Sequence, residues 1–473
     1  MTFTSFLYLP ILAIILALFY VIPKKGKILL LLLTSYLFYF QLQQTVLLLL
    51  FSQTIIAYYA AIKIASTEGK RKSKYLNFAI LANIFILALF KYTNFLLENL
   101  FGIFNGLDST NSQITVDIIL PIGISFYTFQ IISYLLDVYW EQVEPEINFM
   151  RFALFISFFP TIMAGPIERF INIKGQYAFQ NPFDKRLFQR GIGLIILGLM
   201  YKMVVADRLG MFVDTIFNNY RYHGGLTLSL ASFFYSIQVY ADFAGYSMIA
   251  IGLANLFGLK IIENFNLPYF SQSISEFWNR WHISLSSWLR DYIFIPLGYT
   301  RFGTKLLGKY RTNFNIIVTF FISGIWHGAN WTFVIWGLLH GLFINIELFF
   351  GALFRKNRTK LRRSSIALTS VKIFWTFCVL TSLWIIFRSE SLTQAVVIYR
   401  KILFEPGELF NPSTDILLHC FFGVLILFTI ELGRYSKVKV VNNKLRFLIY
   451  FLLIFCIILF GVLDKGQFIY FQF

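Results

Sequence analysis

The sequence predicts an all-α, polytopic integral membrane protein, and three observations carry that expectation. Hydrophobic residues make up 58% of the chain and charged residues only 14%, where a soluble domain carries about 25% charged residues. Apolar runs recur from end to end, many near the roughly 20 residues needed to cross a hydrocarbon core of ~30 Å. The net charge of +18 sits in short basic clusters between those runs, such as Lys24-Lys25-Gly26-Lys27, Lys70 to Lys74 and Arg355 to Arg363. This is the positive-inside pattern, so the expected partner of the basic residues is an anionic lipid bilayer and not nucleic acid.

Taken in order, the apolar segments fall at about 5–22, 28–43, 45–66, 75–98, 118–138, 152–164, 191–205, 226–241, 314–325, 331–350, 366–387, 415–431 and 447–463. They predict about ten or eleven spans, by hydropathy, plus re-entrant or interfacial helices. The first segment lacks a basic n-region and a small-residue cleavage site, so it is read as a span and not a cleaved signal. If the Lys24 cluster is cytoplasmic, the N-terminus and the Asn99–Asp117 loop, which has no Lys or Arg, lie outside. Segments 152–164 and 314–325 are short for a crossing and are candidates for re-entrant or broken helices. Such backbone survives at membrane depth only against protein or a water-filled cavity. No separate soluble domain fits, so residues 1–473 are read as one domain, with 468–473 an aromatic tail. Cys378, Cys420 and Cys456 stand isolated in apolar sequence and read as small core hydrophobes.

The longest polar interruption runs from Gly258 to about Arg311. Within it, Ser273-Ile274-Ser275-Glu276 is a capping box, which predicts a helix from about Ile274. On that helix Trp278, Trp281, Leu285 and Trp288 form an aromatic stripe, Glu276 and Arg280 pair at i, i+4, and His282 lies beside the stripe. Pro296 is expected to stop the helix. Two readings are open: an interfacial helix with Trp anchors, or one that presents the His282 imidazole inward.

Signatures of phosphate loops, dinucleotide folds, serine hydrolases and zinc proteases are absent, and no two of His223, His282, His327, His340 and His419 stand at metal-ligand spacing. No metal is therefore expected. An ionisable group at membrane depth is a functional candidate by default, and His327 in Ser323-Gly324-Ile325-Trp326-His327-Gly328-Ala329-Asn330 is such a group. It suits the general base of an acyl transfer to a hydroxyl, a reaction that also needs donors for the tetrahedral oxyanion. Asn330 is expected to cap a helix starting near Trp331, placing His327 just ahead of a positive helix end whose N–H groups suit an oxyanion. Gly324 and Gly328 allow close backbone approach. A histidine hydrogen-bonded at a helix junction is the plainer alternative, and His223, His340 and His419 read as structural or interfacial. Buried carboxylates such as Asp137 and Asp242 call for a cation or hydrogen-bond donors; they either orient a histidine, line a tunnel or belong to a structural network. In the tail Phe468 to Phe473, Tyr470 is either part of an interfacial belt or a hydroxyl able to accept an acyl group.

The runs Phe243-Ala244-Gly245-Tyr246-Ser247, Glu263 to Tyr269, Glu276 to Asp291 and Trp326-His327-Gly328-Ala329 resemble the membrane-bound O-acyltransferase family. The resemblance extends through Pro121 to Gln130, Phe158 to Arg169 and Phe387 to Ser391, and is closest to the bacterial branch acting on alginate, peptidoglycan and teichoic acid. It implies an acyl-transfer core around a central tunnel, with His327 as the catalytic histidine and His282 as the second motif histidine. It also implies an acetyl group taken from a cytoplasmic thioester, acetyl-CoA, with no bound cofactor. The acetyl group then passes to a periplasmic or extracellular esterase-fold O-acetyltransferase that modifies a glycan, at the cytoplasmic (inner) membrane of a bacterium. The Phe-x-Tyr-x-x-Phe tail resembles an acyl-carrying tyrosine and points to Tyr470. Trp326, Asn330, Arg280 and Asp242 are taken as supporting or tunnel residues. The competing expectations are a transporter with a histidine-lined path, which the absence of internal repeats disfavours, a scaffold without catalysis, and D-alanyl transfer to teichoic acid.

Overall fold

Interrupted apolar segments separated by basic clusters become helices throughout the computed structural model, which describes residues 8–104, 116–179, 183–300, 308–355, 365–411, 413–437 and 443–462. Among the described residues there is no strand, as expected where lipid leaves backbone groups no partner but their own helix. Six helical stretches are long and apolar enough to cross a membrane: Gln44–Ala65, Gly69–Phe101, Gly225–Leu256, Trp331–Gly351, Ile366–Arg388 and Thr414–Tyr435. The protein is therefore a multi-pass membrane protein. Further apolar helices at Tyr8–Val21, Lys24–Leu42, Arg311–His327 and Asn443–Phe460 run for 14, 19, 17 and 18 residues.

Two units emerge from the chain, one of residues 1–192 and 250–262, the other of residues 193–249 and 263–473. In the first, the Leu47–Ala65 helix packs on Gly69–Phe104 and on Ile124–Tyr139, and Lys24–Leu42 packs on Phe149–Ser157. Buried Gln53 donates to Asn83 at 3.0 Å, the kind of polar tie that joins helices where lipid offers no hydrophobic drive. Segment 152–164 is broken as anticipated: its helix ends at Ser157, and buried turns follow. Gly123 begins the next-door helix with φ 76°, and a Cβ there would lie 2.0 Å from the Ile162 carbonyl oxygen. Only glycine accommodates both constraints.

In the second unit, the Arg311–His327 helix lies along Trp331–Arg355, which in turn packs on Ile366–Arg388. Segment 314–325 is not broken; it is the middle of the 17-residue Arg311–His327 helix, extended by polar and aromatic flanks that hydropathy leaves out. The crossing with Trp331–Arg355 is built on glycine. A Cβ on Gly337 would meet the Phe320 carbonyl oxygen at 2.3 Å, and one on Gly324 would meet the Phe333 carbonyl oxygen at 2.4 Å. Small residues here let the backbones touch.

Candidate active site

The helix expected to run from Ile274 to Pro296 starts as foreseen and then breaks. Ser273 Oγ accepts from the Glu276 N–H at 3.0 Å, and Glu276 pairs with Arg280 at 2.6 Å. Glu347 reinforces this start, accepting from the N–H groups of Ile274 and Ser275 at 2.6 and 3.0 Å; a carboxylate is favoured at that positive end. After Trp278 the ladder fails, because the 264–267 loop takes its groups: Asn266 N–H donates to the Arg280 carbonyl and Ile283 N–H to the Asn264 carbonyl, each at 2.9 Å. A second helix, Ile283–Leu289, continues through π-helical Arg290–Phe294. Pro296 does not stop it: the helical run goes on from the π-helical turn through Ile295–Tyr299 without a break, and a widened turn just ahead of a proline accommodates its ring and its missing N–H.

His282 stands at the break. It is fully buried and has a left-handed backbone, φ 43° and ψ 53°, a conformation costing about 1 kcal/mol or more for a residue with a Cβ. Asn264 repays it: its Oδ1 accepts from Ser284 Oγ at 2.8 Å and Ser284 N–H at 3.2 Å, and lies 3.2 Å from His282 Nδ1. Asn264 Nδ2 donates to Ser247 Oγ at 3.2 Å. The Phe243 ring meets the imidazole edge-on with centroids 4.6 Å apart. His282 lies outside the six spans, and its burial pushes its pKa down to about 3, so the ring is neutral near pH 7.

His327 is also buried, at 3% exposure. It closes the Arg311–His327 helix, with Gly328 in extended backbone after it. The expectation of a positive helix end beside it is thus half of the geometry, because the carbonyl end of its own helix carries the opposite partial charge. Three aromatic rings box the imidazole, Trp326 and Trp336 at 4.9 Å and Phe387 at 5.2 Å between centroids.

Trp326 joins the two histidines. Its indole lies 4.9 Å from the His327 ring and 6.0 Å from the His282 ring, so imidazoles 45 residues apart by number share one buried neighbour. Asn330 is the N-cap that the sequence predicts, its Oδ1 accepting from Thr332 N–H at 3.0 Å and its Nδ2 donating to the Glu390 carbonyl at 2.8 Å. With Phe333 and Val334 N–H groups on the Asn330 carbonyl, these amides are already engaged. The expected oxyanion donors are not among them.

Other candidates are placed elsewhere. Arg280 is directed to Glu276 and the Leu267 carbonyl. Asp242 pairs with Lys202 at 2.7 Å, meeting the need of a buried carboxylate for a cation. His340 is buried and hydrogen-bonded, its Nδ1 accepting from Trp278 Nε1 at 3.1 Å. His419 Nδ1 lies 2.7 Å from the Asp415 carbonyl oxygen, one turn back on its own helix. Tyr470 lies outside the described residues. Beside Trp278 opens a cleft of about 340 Å³, lined among others by Ser275, Asn279, Arg290, Thr319 and Phe320; neither His282 nor His327 lines it. Sequence reasoning missed Lys202, Asn264, Glu347 and Glu431, the last buried and accepting from Tyr201 and Tyr240 at 2.7 and 2.8 Å. Lys202 could have been found by the rule that singled out His327, a lone ionisable group in an apolar run.

Two buried imidazoles therefore share the Trp326 ring, His282 held neutral near pH 7 by its burial and His327 boxed by aromatic rings. Among the described residues, no group of three His, Cys, Asp or Glu could hold a metal ion. Residues 29–389 match the model of the membrane-bound O-acyltransferase family. The chain is 37% identical to a protein named "Probable alginate O-acetylase" from Azotobacter vinelandii, over 85% of this chain and 77% of the relative. It is 34% identical to a peptidoglycan O-acetyltransferase of Helicobacter pylori over 74% and 68%. It is 32% identical to a teichoic acid D-alanyltransferase of Bacillus subtilis over 48% of this chain and 59% of the relative.

Proposed function

This chain belongs to the membrane-bound O-acyltransferase family and is an O-acyltransferase; from that premise we propose that it takes acetyl groups from cytoplasmic acetyl-CoA and passes them across a bacterial cytoplasmic membrane for O-acetylation of a polysaccharide outside. The observation that carries the site assignment is the buried Trp326 indole in contact with both His282 and His327. In the proposed reaction His327 takes the proton of the acceptor hydroxyl, and the oxygen attacks the thioester carbonyl. The C–S bond then breaks, and the thiolate leaves with the proton from the imidazolium. The surrounding Trp326, Trp336 and Phe387 exclude water, and aromatic faces favour the cation that forms. His282, held neutral, positions the acceptor or donor by hydrogen bonding.

Trp326 and Asn330 support this arrangement directly, Asn330 by fixing the turn after His327. Arg280 and Asp242 support it through the loops and helices that hold His282. Tyr470 is the proposed first acceptor, from which an esterase-fold partner outside the membrane would complete transfer to alginate-like polymer or peptidoglycan. Acetyl transfer is favoured over D-alanyl transfer because the acetyltransferase relatives match over much more of the chain and because the tyrosine tail is on this chain. In cells, His327→Ala should abolish acetylation of the glycan while protein accumulates in the membrane. Wild-type acetyl content in that strain would overturn the assignment.

A further inference from the structure

The chain carries a buried ion triad that the acyl-transfer chemistry does not itself use. Lys202 Nζ lies 2.7 Å from Asp242 Oδ1 and 2.9 Å from Asp207 Oδ1, with side chains 1%, 1% and 9% exposed. Lys202 belongs to a π-helical stretch, Met200–Ala206, a widened turn that recurs at functional sites. Just before it, Gly198 and Gly245 bring two backbones together: a Cβ on Gly198 would meet the Gly245 carbonyl oxygen at 2.6 Å, and one on Gly245 the Gly198 oxygen at 2.8 Å. The crossing delivers the ammonium to Asp242.

Next to Asp242 along the same helix is Phe243, whose ring packs on His282 at 4.6 Å, and five residues on is Ser247, which accepts from the Asn264 that braces His282. One and a half helical turns therefore present a carboxylate to Lys202, a ring to the imidazole and a hydroxyl to the imidazole's brace. We propose that the Lys202–Asp242 pair is a positioning device for His282, fixing the rotation and height of the 242–247 segment so that the imidazole is held in its left-handed turn. Asp207 holds the same ammonium from five residues along Lys202's own stretch of chain. Lone removal of a buried partner leaves uncompensated charge, but the triad has two carboxylates and one cation, so either aspartate can be replaced by asparagine with a neutral pair remaining.

This inference rests on the acyl-transfer reading of the site, and one experiment separates the two. Turnover of radiolabelled acetyl-CoA is measured on the full chain in membranes for wild type, Asp242→Asn, Asp207→Asn and His327→Ala, together with thermal midpoints. A positioning role predicts that Asp242→Asn lowers kcat by about 100-fold, the effect of misplacing a reacting group by about 1 Å, with KM for acetyl-CoA unchanged. Asp207→Asn should stay close to wild type. Equal loss in both asparagine variants, tracking equal loss of thermal midpoint, overturns the proposal and makes the triad a structural ion cluster. Wild-type turnover in His327→Ala instead overturns the acyl-transfer reading. Should Asp242→Asn fail to accumulate, Lys202→Arg keeps all three charges while putting a larger, planar guanidinium in the ammonium's place. It should then lower kcat, measured below its own thermal midpoint, by far more than Asp207→Asn does, and a wild-type kcat would refute the positioning role.

Discussion

Asn264→Ala would withdraw the acceptor around which the His282 turn is built. Asn264 Oδ1 accepts from Ser284 Oγ at 2.8 Å and Ser284 N–H at 3.2 Å, and both partners are buried. A buried donor that loses its acceptor costs about 1–3 kcal/mol; with two donors, one of them in a long bond, the expected destabilisation is roughly 2–4 kcal/mol. His282 already holds about 1 kcal/mol of backbone strain, so the loosened turn relaxes before the fold gives way. Part of the loss then appears as a displaced imidazole, and a shift of about 1 Å costs about 100-fold in rate. Thermal unfolding of the solubilised protein reads the first quantity, and acetyl-CoA turnover the second. Adding Ser284→Ala removes the orphaned hydroxyl, so the double variant should be more stable than the sum of the singles implies, by about 0.5–3 kcal/mol of coupling. Asn264→Ala with a wild-type midpoint and wild-type turnover would refute the reasoning.

Gly337→Ala places a methyl 2.3 Å from the Phe320 carbonyl and should push the two helices apart, costing about 1–3 kcal/mol, whereas Gly351→Ala, with open space around it, should leave the midpoint unchanged. The pH dependence of stability has a definite sign at His282. Burial lowers its folded pKa to about 3, below the ordinary value of about 6.5, so the folded state penalises protonation. Stability from this group is full above about pH 6.5 and falls as pH drops toward about 3. His282→Gln should therefore show a shallower midpoint-against-pH curve over that window than wild type. Tyr470→Phe should stop both acetyl passage to the glycan and the thioester cleavage that needs the tyrosine hydroxyl as first acceptor; normal glycan acetylation in that variant would remove the relay while leaving His327 as the base.

Helix and membrane were legible because hydropathy reports directly on solvent, and the capping box at Ser273 and the N-cap at Asn330 were legible because both are local. The break at His282 was not. Periodicity treats 274–296 as one helix, and only the pairing of the 264–267 loop with 280–283 takes the carbonyls and amides that would have continued it. Asn264 was hidden for the same reason: its partners Ser247, His282 and Ser284 are gathered by the tertiary fold. Asp242 announced a buried carboxylate without naming its cation, and Lys202 passed unnoticed because one lysine barely lowers the mean hydropathy of residues 191–205. His327 was found from its sequence neighbours, yet its aromatic box draws Trp336 and Phe387 from two other helices.

Release of CoA from radiolabelled acetyl-CoA by purified protein in lipid, wild type against His327→Ala, tests the central claim most directly. The account predicts acetyl transfer by the wild type and its loss in His327→Ala at an unchanged thermal midpoint. Equal CoA release by the two proteins would contradict it.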